Sequence, residues 1–385
     1  MRFEVAVIGA GPAGIWCAHQ LAAAGVRVAI LDGSHPREKP CGGGVTGRAL
    51  ALVGRQGALE GATVIDAATF VHGGRRSNVS LASPSRQSQL AVFARRDFDQ
   101  QLLERARGAG AILVPERVTA LARDGGTWCL STRGGSVEAN WMVGADGANS
   151  FVRKRLSHAF ARSDLSIACG YFVHGRRSTQ IEVEFVARPA GYLWSFPRPG
   201  HLAVGIGAQA DETSVTELMA IVDAWVGARV KPPSDARLER YSWPIPSLTV
   251  QALERERPCG DRWLLAGDAA GLVDPITREG IFFALQSGAF AAQSLLSSSQ
   301  PSRTYEERLR AEIFPELLRA ARLKAKFFRP AFVGLLLRAL ERSERVRAVM
   351  ADLVAGEQSY ESLRSRLIKT LEFKLMWELA GLQRT

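Results

Sequence analysis

The sequence predicts an α/β fold with three parts: a nucleotide-binding domain on a parallel sheet, a domain built on an antiparallel sheet, and a helical C-terminal segment. Three observations predict it. A glycine-rich turn, GAGPAG, separates a strand-like run from a helical run near residue 10. Short strand-like runs follow one another through residues 165–245, and residues 301–385 have helical character almost throughout. Strand, glycine turn and helix in that order are typical of a dinucleotide site, and consecutive short strands are typical of an antiparallel sheet.

Length and composition indicate a globular protein of more than one domain. The chain has 385 residues, of which 46% are hydrophobic and 23% charged, and this length allows two or three domains. The net charge of +11 fits either an anionic partner or a solvated basic surface. Neither a helix-turn-helix context nor an RNA-binding aromatic pattern is present, so we expect no nucleic-acid partner.

Cysteine and histidine patterns give no indication of a disulfide framework or a metal site. The five cysteines are scattered without a CxxC pair, and the six histidines are dispersed. Reduced thiols of a cytoplasmic protein fit this pattern best. No apolar run reaches the roughly 18–20 residues that span a bilayer. The apolar, basic-edged stretch KFFRPAFVGLLLRAL (326–340) is compatible with contact at a membrane surface, with the wall of a hydrophobic tunnel, or with packing on the core.

The first forty residues carry the dinucleotide motif. FEVAVI (3–8) predicts a buried strand, IWCAHQLAAAG (15–25) a helix that ends at its glycine, and VRVAILD (26–32) a second strand. In the glycine turn between strand and helix, Gly9 permits the tight bend, and Gly11 lets the backbone approach a pyrophosphate. The free N–H groups at the start of the helix favour phosphate binding.

Three more positions complete this predicted cofactor site. Gly14 allows close packing of helix and strand, and Ala13 beside it is included among the cofactor-binding residues. Asp32 ends the second strand, where its carboxylate can accept hydrogen bonds from a ribose. The motif by itself is compatible with NAD and with FAD.

Two later segments each place an acid beside a glycine at the end of a strand. WMVGADGANSFVRKRL (141–156) contains Asp146 and Gly147 before a helix that begins with basic residues. WLLAGDAAGLVDPITREGIFFALQSG (263–288) contains Gly267 and Asp268 after a strand. Gly280 and Ile281 then open a long apolar helix, whose N-terminus suits an electron-rich ring carbonyl or a reduced flavin.

Together, the three motifs resemble those of FAD-dependent oxidoreductases of the aromatic-hydroxylase type. The resemblance implies a Rossmann-type FAD-binding domain of the glutathione-reductase/aromatic-hydroxylase type, with Asp268 on the ribityl chain of FAD. The run RRDFDQQLLERA (95–106) is similar to the family's Arg-x-x-Phe-Asp-x-x-Leu helix, which implies that Arg95 lies near the FAD; alone, it would also read as an ordinary amphipathic helix. No second GxGxxG follows a strand, so the FAD domain is the one dinucleotide domain we expect.

The strand-like run GYLWSFPRPG (191–200) carries three alternating aromatic residues. Tyr192, Trp194 and Phe196 face the same side of a strand, where they serve either as core or as the wall of a ligand cavity. With VGIG (204–207) the run is similar to the Tyr-x-Trp-x-Phe-Pro signature of geranylgeranyl reductases. The resemblance implies that all three aromatic residues bind substrate and that Tyr192 and Trp194 take part in catalysis.

The segment KPCGGGVTGRAL (39–50) gives a second match to geranylgeranyl reductases, which carry Lys-Pro-Cys-Gly-Gly after the second strand. Glycines without Cβ let the backbone lie close to a flavin ring, so Gly42 and Gly43 are included with Cys41 among the cofactor-binding residues. Cys41 is also a candidate catalytic residue that relays a proton or shapes the pocket; the alternative is a small buried side chain. One departure stands out, because Arg278 in PITREGI replaces the family's usual glycine.

The resemblance, which covers roughly residues 1–300, implies an FAD-dependent reductase that saturates double bonds of a geranylgeranyl- or polyprenyl-type isoprenoid. NADPH or ferredoxin would supply electrons, and the partner would be a hydrophobic small-molecule or lipid substrate. The alternative is an FAD-dependent monooxygenase or another flavin tailoring enzyme that acts on a hydrophobic small molecule. The predicted domains are an FAD-binding domain at 1–65, 90–160 and 255–300, a substrate-binding α+β domain at 66–89 and 161–254, and the helical segment 301–385.

Overall fold

A computed structural model describes residues 1–54, 58–82 and 90–369 of the chain. Residues 370–382 of the last helix that the sequence predicts, and residues 55–57 and 83–89 of the predicted domains, lie outside the described residues. The chain divides into two compact units. Unit 1 comprises Met1–Lys39, Arg95–Ala161 and Pro246–Leu318, and unit 2 comprises Pro40–Ala94, Arg162–Ile245 and Arg319–Thr385.

Eighteen strands and twelve α-helices lie in the described part of the chain. The strands are β1 Arg2–Ile8, β2 Val28–Leu31, β3 Gly44–Val45, β4 Ala62–Val64, β5 Ala67–His72, β6 Arg75–Ser80, β7 Ala91–Phe93, β8 Ile112–Val114, β9 Ala120–Asp124, β10 Thr127–Ser131, β11 Ser136–Gly144, β12 Leu165–His174, β13 Gln180–Ala187, β14 Ala190–Arg198, β15 His201–Gln209, β16 Leu238–Pro246, β17 Cys259–Gly260 and β18 Trp263–Leu265. The α-helices are α1 Pro12–Ala23, α2 Gly47–Val53, α3 Arg95–Gly108, α4 Phe151–Leu156, α5 Val215–Trp225, α6 Val250–Arg255, α7 Ile281–Ser297, α8 Pro301–Arg308, α9 Phe314–Phe327, α10 Pro330–Arg342, α11 Glu344–Ala355 and α12 Tyr360–Lys369.

Unit 1 is organised around a sheet in the order β17-β18-β11-β1-β2-β8. The four pairs from β18 to β8 are parallel, and β9 and β10 extend β11 as an antiparallel hairpin. The last four residues of β1 and all of β2 are buried, as expected for parallel strands covered on both faces. The glycine turn follows β1, and Gly267 follows β18, so both motifs leave the carboxyl ends of parallel strands, where such sheets bind ligands.

Unit 2 contains a sheet in the order β16-β12-β15-β14-β13-β5-β6. The strands β12 to β15 are antiparallel neighbours, and β13 pairs with β5 in parallel. Helix α5 covers one face with Leu218, Val222 and Trp225. A capping box between Ser214 and Glu217 fixes where this helix begins.

The opposite face of this sheet carries the aromatic residues of β14. Trp194 packs with Phe172 and Tyr241, and Tyr192 and Phe196 pack at the border of that cluster. Residues between α9 and α10 also contribute, because the Phe328 ring stacks on Tyr192 with ring centroids 6.4 Å apart. The predicted strands of residues 165–245 are confirmed, as is the helical character of residues 301–369.

The apolar stretch 326–340 is packed inside unit 2. Helix α10 lies against β5 and β6 and buries Val333, Leu335, Leu337 and Leu340. Of the three arrangements that the sequence left open, packing on the core is therefore the one that these contacts support. No helix among residues 1–54, 58–82 and 90–369 has the length and apolar character needed to cross a membrane.

Candidate functional site

The glycine turn of unit 1 is shaped by close backbone approaches on one side and is open on the other. A Cβ added to Gly9, whose φ is +105°, would lie 2.3 Å from the Ala145 carbonyl oxygen, and one added to Gly14 would lie 2.1 Å from the Gly9 oxygen. A Cβ added to Gly11 would meet no atom of the described residues within 4 Å. The N-terminus of α1 at Gly11 therefore faces open space, which leaves room for a phosphate.

Ala13 packs where α1 meets the third motif. A Cβ on Gly288 of α7 would lie 2.3 Å from the Ala13 carbonyl oxygen, and a Cβ on Gly267 would lie 3.0 Å from the Ala13 Cβ. The small residues at these three positions let the first and third motifs approach each other. The structure gives Ala13 this packing contact, and its predicted contact with a cofactor stays a prediction.

Asp32 is held at the end of β2 by hydrogen bonds from the turn and from its own loop. Its Oδ2 accepts from the Ala10 N–H at 2.8 Å, and its Oδ1 accepts from the Ser34 N–H at 2.8 Å and the Ser34 hydroxyl at 2.6 Å. Burial alone would raise the pKa of Asp32, but these hydrogen bonds, with a smaller contribution from Arg37, lower it below its ordinary value. The carboxylate is therefore ionised at neutral pH, as an acceptor for a ribose must be.

Asp268 forms an ion pair with Lys39. The Lys39 Nζ donates to the Asp268 Oδ2 at 2.9 Å. Burial would raise the pKa of Asp268, whereas the charge and hydrogen bond of Lys39, with smaller contributions from Arg95 and Arg37, lower it. Gly280 precedes α7 directly, and a Cβ there would lie 3.3 Å from the Asp268 Oδ1; Ile281, half-buried, is the first residue of α7. Asp268 thus lies beside the N-terminus of α7, and its predicted contact with the ribityl chain of FAD stays a prediction.

Arg95 is almost fully buried and binds within its own helix. Its Nε and Nη2 donate to the two carboxylate oxygens of Asp99 at 2.9 and 2.7 Å. Glu38 accepts from the Arg95 backbone N–H at 2.9 Å, and so caps the start of α3. The positive charges of Lys39 and Arg95 therefore both act on Asp268. Glu38 holds the start of the helix that carries Arg95.

Asp146 caps α4. Its Oδ1 accepts from the Ser150 hydroxyl, and its Oδ2 accepts from the backbone N–H groups of Phe151 at 2.6 Å and Val152 at 3.2 Å. Burial raises the pKa of Asp146 despite these bonds. Gly147 follows with a φ of +80°, a region that favours glycine. The contacts that the structure records for Asp146 are structural, and its predicted role towards a cofactor stays a prediction.

Arg278 has the backbone conformation that suits the glycine it replaces. Its φ is +59°, in the left-handed region that glycine adopts without steric cost. The turn is held by Asp274, whose Oδ1 accepts from the Ile276 and Thr277 N–H groups at 2.7 and 3.0 Å. The backbone of the turn at Arg278 therefore has a conformation that a glycine at this position would also adopt.

The three aromatic residues of β14 lie on one face of unit 2, as predicted, but they differ in burial. Trp194 is only 5% exposed, whereas Tyr192 and Phe196 are half-buried. The Tyr192 and Trp194 rings meet edge to face, with centroids 5.9 Å apart. Tyr192 and Phe196 therefore keep part of their surface accessible, whereas Trp194 is almost fully buried.

The loop Pro40–Gly44, which we name the Cys41 loop, packs against the same face. A Cβ on Gly42 would lie 3.0 Å from the Phe196 ring, and one on Gly43, whose φ is +83°, would lie 2.2 Å from the Phe93 carbonyl oxygen. The glycines are thus needed for contacts with the protein itself. Cys41 is half-buried, and its carbonyl oxygen accepts from Arg198 of β14 at 2.7 Å; its predicted role at a substrate cavity stays a prediction.

Sequence reasoning missed three residues of these sites: Lys39, Glu38 and Arg198. Two of them had a usable signal: Lys39 begins the motif two residues before Cys41, and Arg198 continues the two-residue spacing of Tyr192, Trp194 and Phe196. Glu38 carries no such signal, because its partner lies far along the chain, where it caps a helix that begins at residue 95.

The residues of unit 1 fit FAD. The open space beside Gly11 accommodates a group that needs backbone N–H donors, and Asp32 is an ionised acceptor for a ribose. Lys39 and Asp268 provide a cation and an acceptor beside the N-terminus of α7. Diphosphate, ribose and ribityl groups require this donor and acceptor set.

Comparison with known proteins defines the class first. A model of the FAD binding domain family matches residues 2–182. The chain is an FAD-dependent oxidoreductase with an FAD-binding domain of the aromatic-hydroxylase type, which confirms the predicted fold class and cofactor. The solved structure of a geranylgeranyl bacteriochlorophyll reductase-like protein from Thermoplasma acidophilum has the same fold, with a TM-score of 0.79 and 23% identity over 96% of this chain and 99% of that one.

Relatives of similar sequence are the second comparison. The geranylgeranyl diphosphate reductase of Rhodobacter capsulatus is 29% identical over 78% of this chain and 78% of its own length. The digeranylgeranylglycerophospholipid reductase of Methanothrix thermoacetophila is 26% identical over 99% of this chain and 100% of its own length. Both relatives are named as reductases of geranylgeranyl compounds, which agrees with the resemblance that the sequence motifs carry. A flavin-dependent brominase shares the fold alone, at 18% identity and a TM-score of 0.70 over 96% of this chain and 99% of that one.

Proposed function

We propose that this protein is an FAD-dependent reductase that saturates carbon–carbon double bonds of an isoprenoid of the geranylgeranyl or polyprenyl type. One observation carries the proposal: the Cys41 loop packs directly on the Tyr-x-Trp-x-Phe-Pro strand of unit 2. The two sequence signatures of the reductases thus form one surface. Relatives named as reductases of geranylgeranyl compounds support the same reaction class.

The residues of unit 1 would hold the cofactor. The N-terminus of α1 at Gly11 would bind the diphosphate, Asp32 a ribose, and Asp268 with Lys39 the ribityl chain. Reduced FAD supplies a hydride for one carbon of the alkene. NADPH or ferredoxin would restore the reduced flavin. Because no second GxGxxG follows a strand in the sequence, NADPH would bind transiently at a surface rather than in a dinucleotide-binding domain of its own.

The aromatic face of unit 2 would bind the isoprenoid. Tyr192 and Phe196 are accessible apolar surfaces, and burying them under a prenyl chain is favourable by about 25 cal/mol per Å² of apolar area. An isolated trisubstituted alkene is a poor electrophile, so it must be protonated in order to accept a hydride. Positive charge develops on carbon during this protonation. The π faces of Tyr192 and Trp194 stabilise such charge. Cys41 Sγ would carry the proton for the second carbon, or shape the cavity in which the transfer occurs.

Anaerobic reoxidation tests this reaction directly. We expect the reduced protein to be reoxidised by a geranylgeranyl compound, with two hydrogen atoms added per double bond in the product. Mixing the photoreduced holoprotein with geranylgeranyl diphosphate, a geranylgeranylated lipid and a polyprenyl quinone, with mass analysis of the products, provides the measurement. If the flavin stays reduced with the entire panel, the proposal is wrong. Oxygen-dependent NADPH consumption that rises with substrate and yields a hydroxylated product would instead establish the monooxygenase alternative.

Substitution of Cys41 tests the role of the thiol. We expect Cys41→Ser to keep its full FAD content but to slow alkene-dependent reoxidation by at least about tenfold, because a hydroxyl is a far weaker acid than a thiol. Cys129→Ser, at another half-buried cysteine, is the matched control and should react as the wild type does. A Cys41→Ser protein with the wild-type reoxidation rate would leave Cys41 a packing residue.

A further inference from the structure

Arg198 is a buried cation at the end of the aromatic strand. It follows Tyr192, Trp194 and Phe196 at the same two-residue spacing, so it belongs to the same face of β14. Its side chain is only 1% exposed. The guanidinium carbon lies 4.8 Å from the centre of the Phe172 ring, close enough for a cation–π contact.

The guanidinium donates to the backbone of the Cys41 loop. Its Nη2 donates to the Cys41 carbonyl oxygen at 2.7 Å, and its Nε contacts the Gly42 carbonyl oxygen at 3.3 Å. The same Nη2 lies 3.5 Å from the Cys41 Sγ. One side chain therefore engages two successive carbonyl groups and the thiol of the candidate catalytic residue, a geometry that the planar fork of arginine allows.

The loop is built to admit this side chain. A Cβ on Gly43 would lie 2.8 Å from the Arg198 Nε, so any other residue there would displace the guanidinium. Two residues separate Cys41 from β3, and the hydrogen bonds with β7 begin at Gly43, whose carbonyl oxygen accepts from the Phe93 N–H at 2.9 Å. Arg198 thus supplies hydrogen bonds to the part of the loop that comes before its sheet pairing.

From these contacts, we infer that Arg198 is a positioning residue of the reaction. It fixes Cys41 against the aromatic face and holds the thiol at a constant position relative to the Tyr192 and Trp194 rings. The inference rests on the proposed function, since it concerns the efficiency of the step assigned to Cys41. Arg198 itself acts through the loop and needs no contact with the substrate.

Hydrogen exchange and turnover test the inference together. In the Arg198→Met holoprotein we expect amide exchange in the Cys41 loop to accelerate by at least about tenfold, because two of its backbone acceptors lose their donor. The amides of β14 and β15 should keep their wild-type protection. The rate constant kcat for isoprenoid reduction should fall by more than about tenfold, with a smaller change in KM and unchanged FAD content. Arg198→Lys, which keeps the charge but lacks the fork, should restore part of both losses.

Arg176 offers a matched control, because it also donates to two successive carbonyl groups, those of Val230 and Lys231, at 2.6 and 2.8 Å. Arg176→Met should change neither loop exchange nor kcat. The inference is overturned if folded Arg198→Met has wild-type exchange in the loop, or faster exchange with an unchanged kcat. If Arg198→Met does not fold, wild-type loop exchange and kcat in Arg198→Lys overturn it instead. A wild-type protein that reduces no prenyl compound refutes the proposed function, and loop exchange then decides whether Arg198 holds the loop.

Discussion

The Gly11→Val protein is expected to fold as the wild type does and to bind FAD far more weakly. Gly11 has a φ of −91° and a ψ of 177°, a conformation open to any residue. Its Cβ direction leads into open space at the N-terminus of α1. A valine there costs the fold little, but it fills the space in which backbone N–H groups would meet the diphosphate. We expect the dissociation constant for FAD to rise by at least about 100-fold, or about 2.7 kcal/mol.

Flavin absorbance per protein after purification and a titration of apoprotein with FAD measure this effect, and circular dichroism reports on the fold. Gly108→Val, at an exposed glycine with equally open surroundings at the end of α3, should retain FAD. Gly14→Ala should behave differently from both, because its Cβ would overlap the Gly9 carbonyl oxygen and destabilise the fold itself. A Gly11→Val protein with full FAD content would show that the diphosphate does not bind at this turn.

The parts of the fold that the sequence predicts are those determined by local pattern. β1, α1 and β2 follow from the apolar runs and the spacing of Gly9, Gly11 and Gly14, since each motif contains its own turn and helix start. The strands β12 to β15 follow from short apolar runs separated by turn residues. The aromatic face of β14 follows from a period of two, which needs no knowledge of distant residues.

Pairings between distant segments could not be predicted in the same way. Lys39 and Asp268 are 229 residues apart, and Arg198 and Cys41 are 157 apart. β5 joins β13 in parallel, with Ala67 opposite Gln180 although the two residues are 113 positions apart (180 − 67). In each case the partners are chosen by the tertiary fold. The sequence therefore predicts Cys41 as a site residue and its glycines as positions of close approach to a flavin ring, but it could not name Phe196, Phe93 and Arg198 as the groups that the glycines approach in the structure.

Arg153 is a further residue whose partner the sequence could not name. It belongs to the basic residues that follow Asp146 in the second acid–glycine motif. In the structure its Nη1 and Nη2 donate to the two carboxylate oxygens of Glu256 at 2.7 and 2.8 Å, and both side chains are 1% exposed. Nη1 also contacts the Ala269 carbonyl oxygen at 3.2 Å, in the turn that carries Asp268. The arginine thus ties α4 to the turn of the third motif.

Arg153→Met is therefore expected to be the most destabilising single change considered, because it leaves the Glu256 carboxylate buried without its cation. Loss of one partner of a buried ion pair costs about 3–5 kcal/mol, whereas apolar replacement of both partners is often close to neutral. The Arg153→Met/Glu256→Met double variant should accordingly recover at least half of the lost free energy of unfolding, measured by urea denaturation of the apoprotein. Lys154→Met, at the exposed neighbouring position, should change it by less than about 0.5 kcal/mol. If the losses of the single variants Arg153→Met and Glu256→Met simply add in the double variant, the two charges are not coupled.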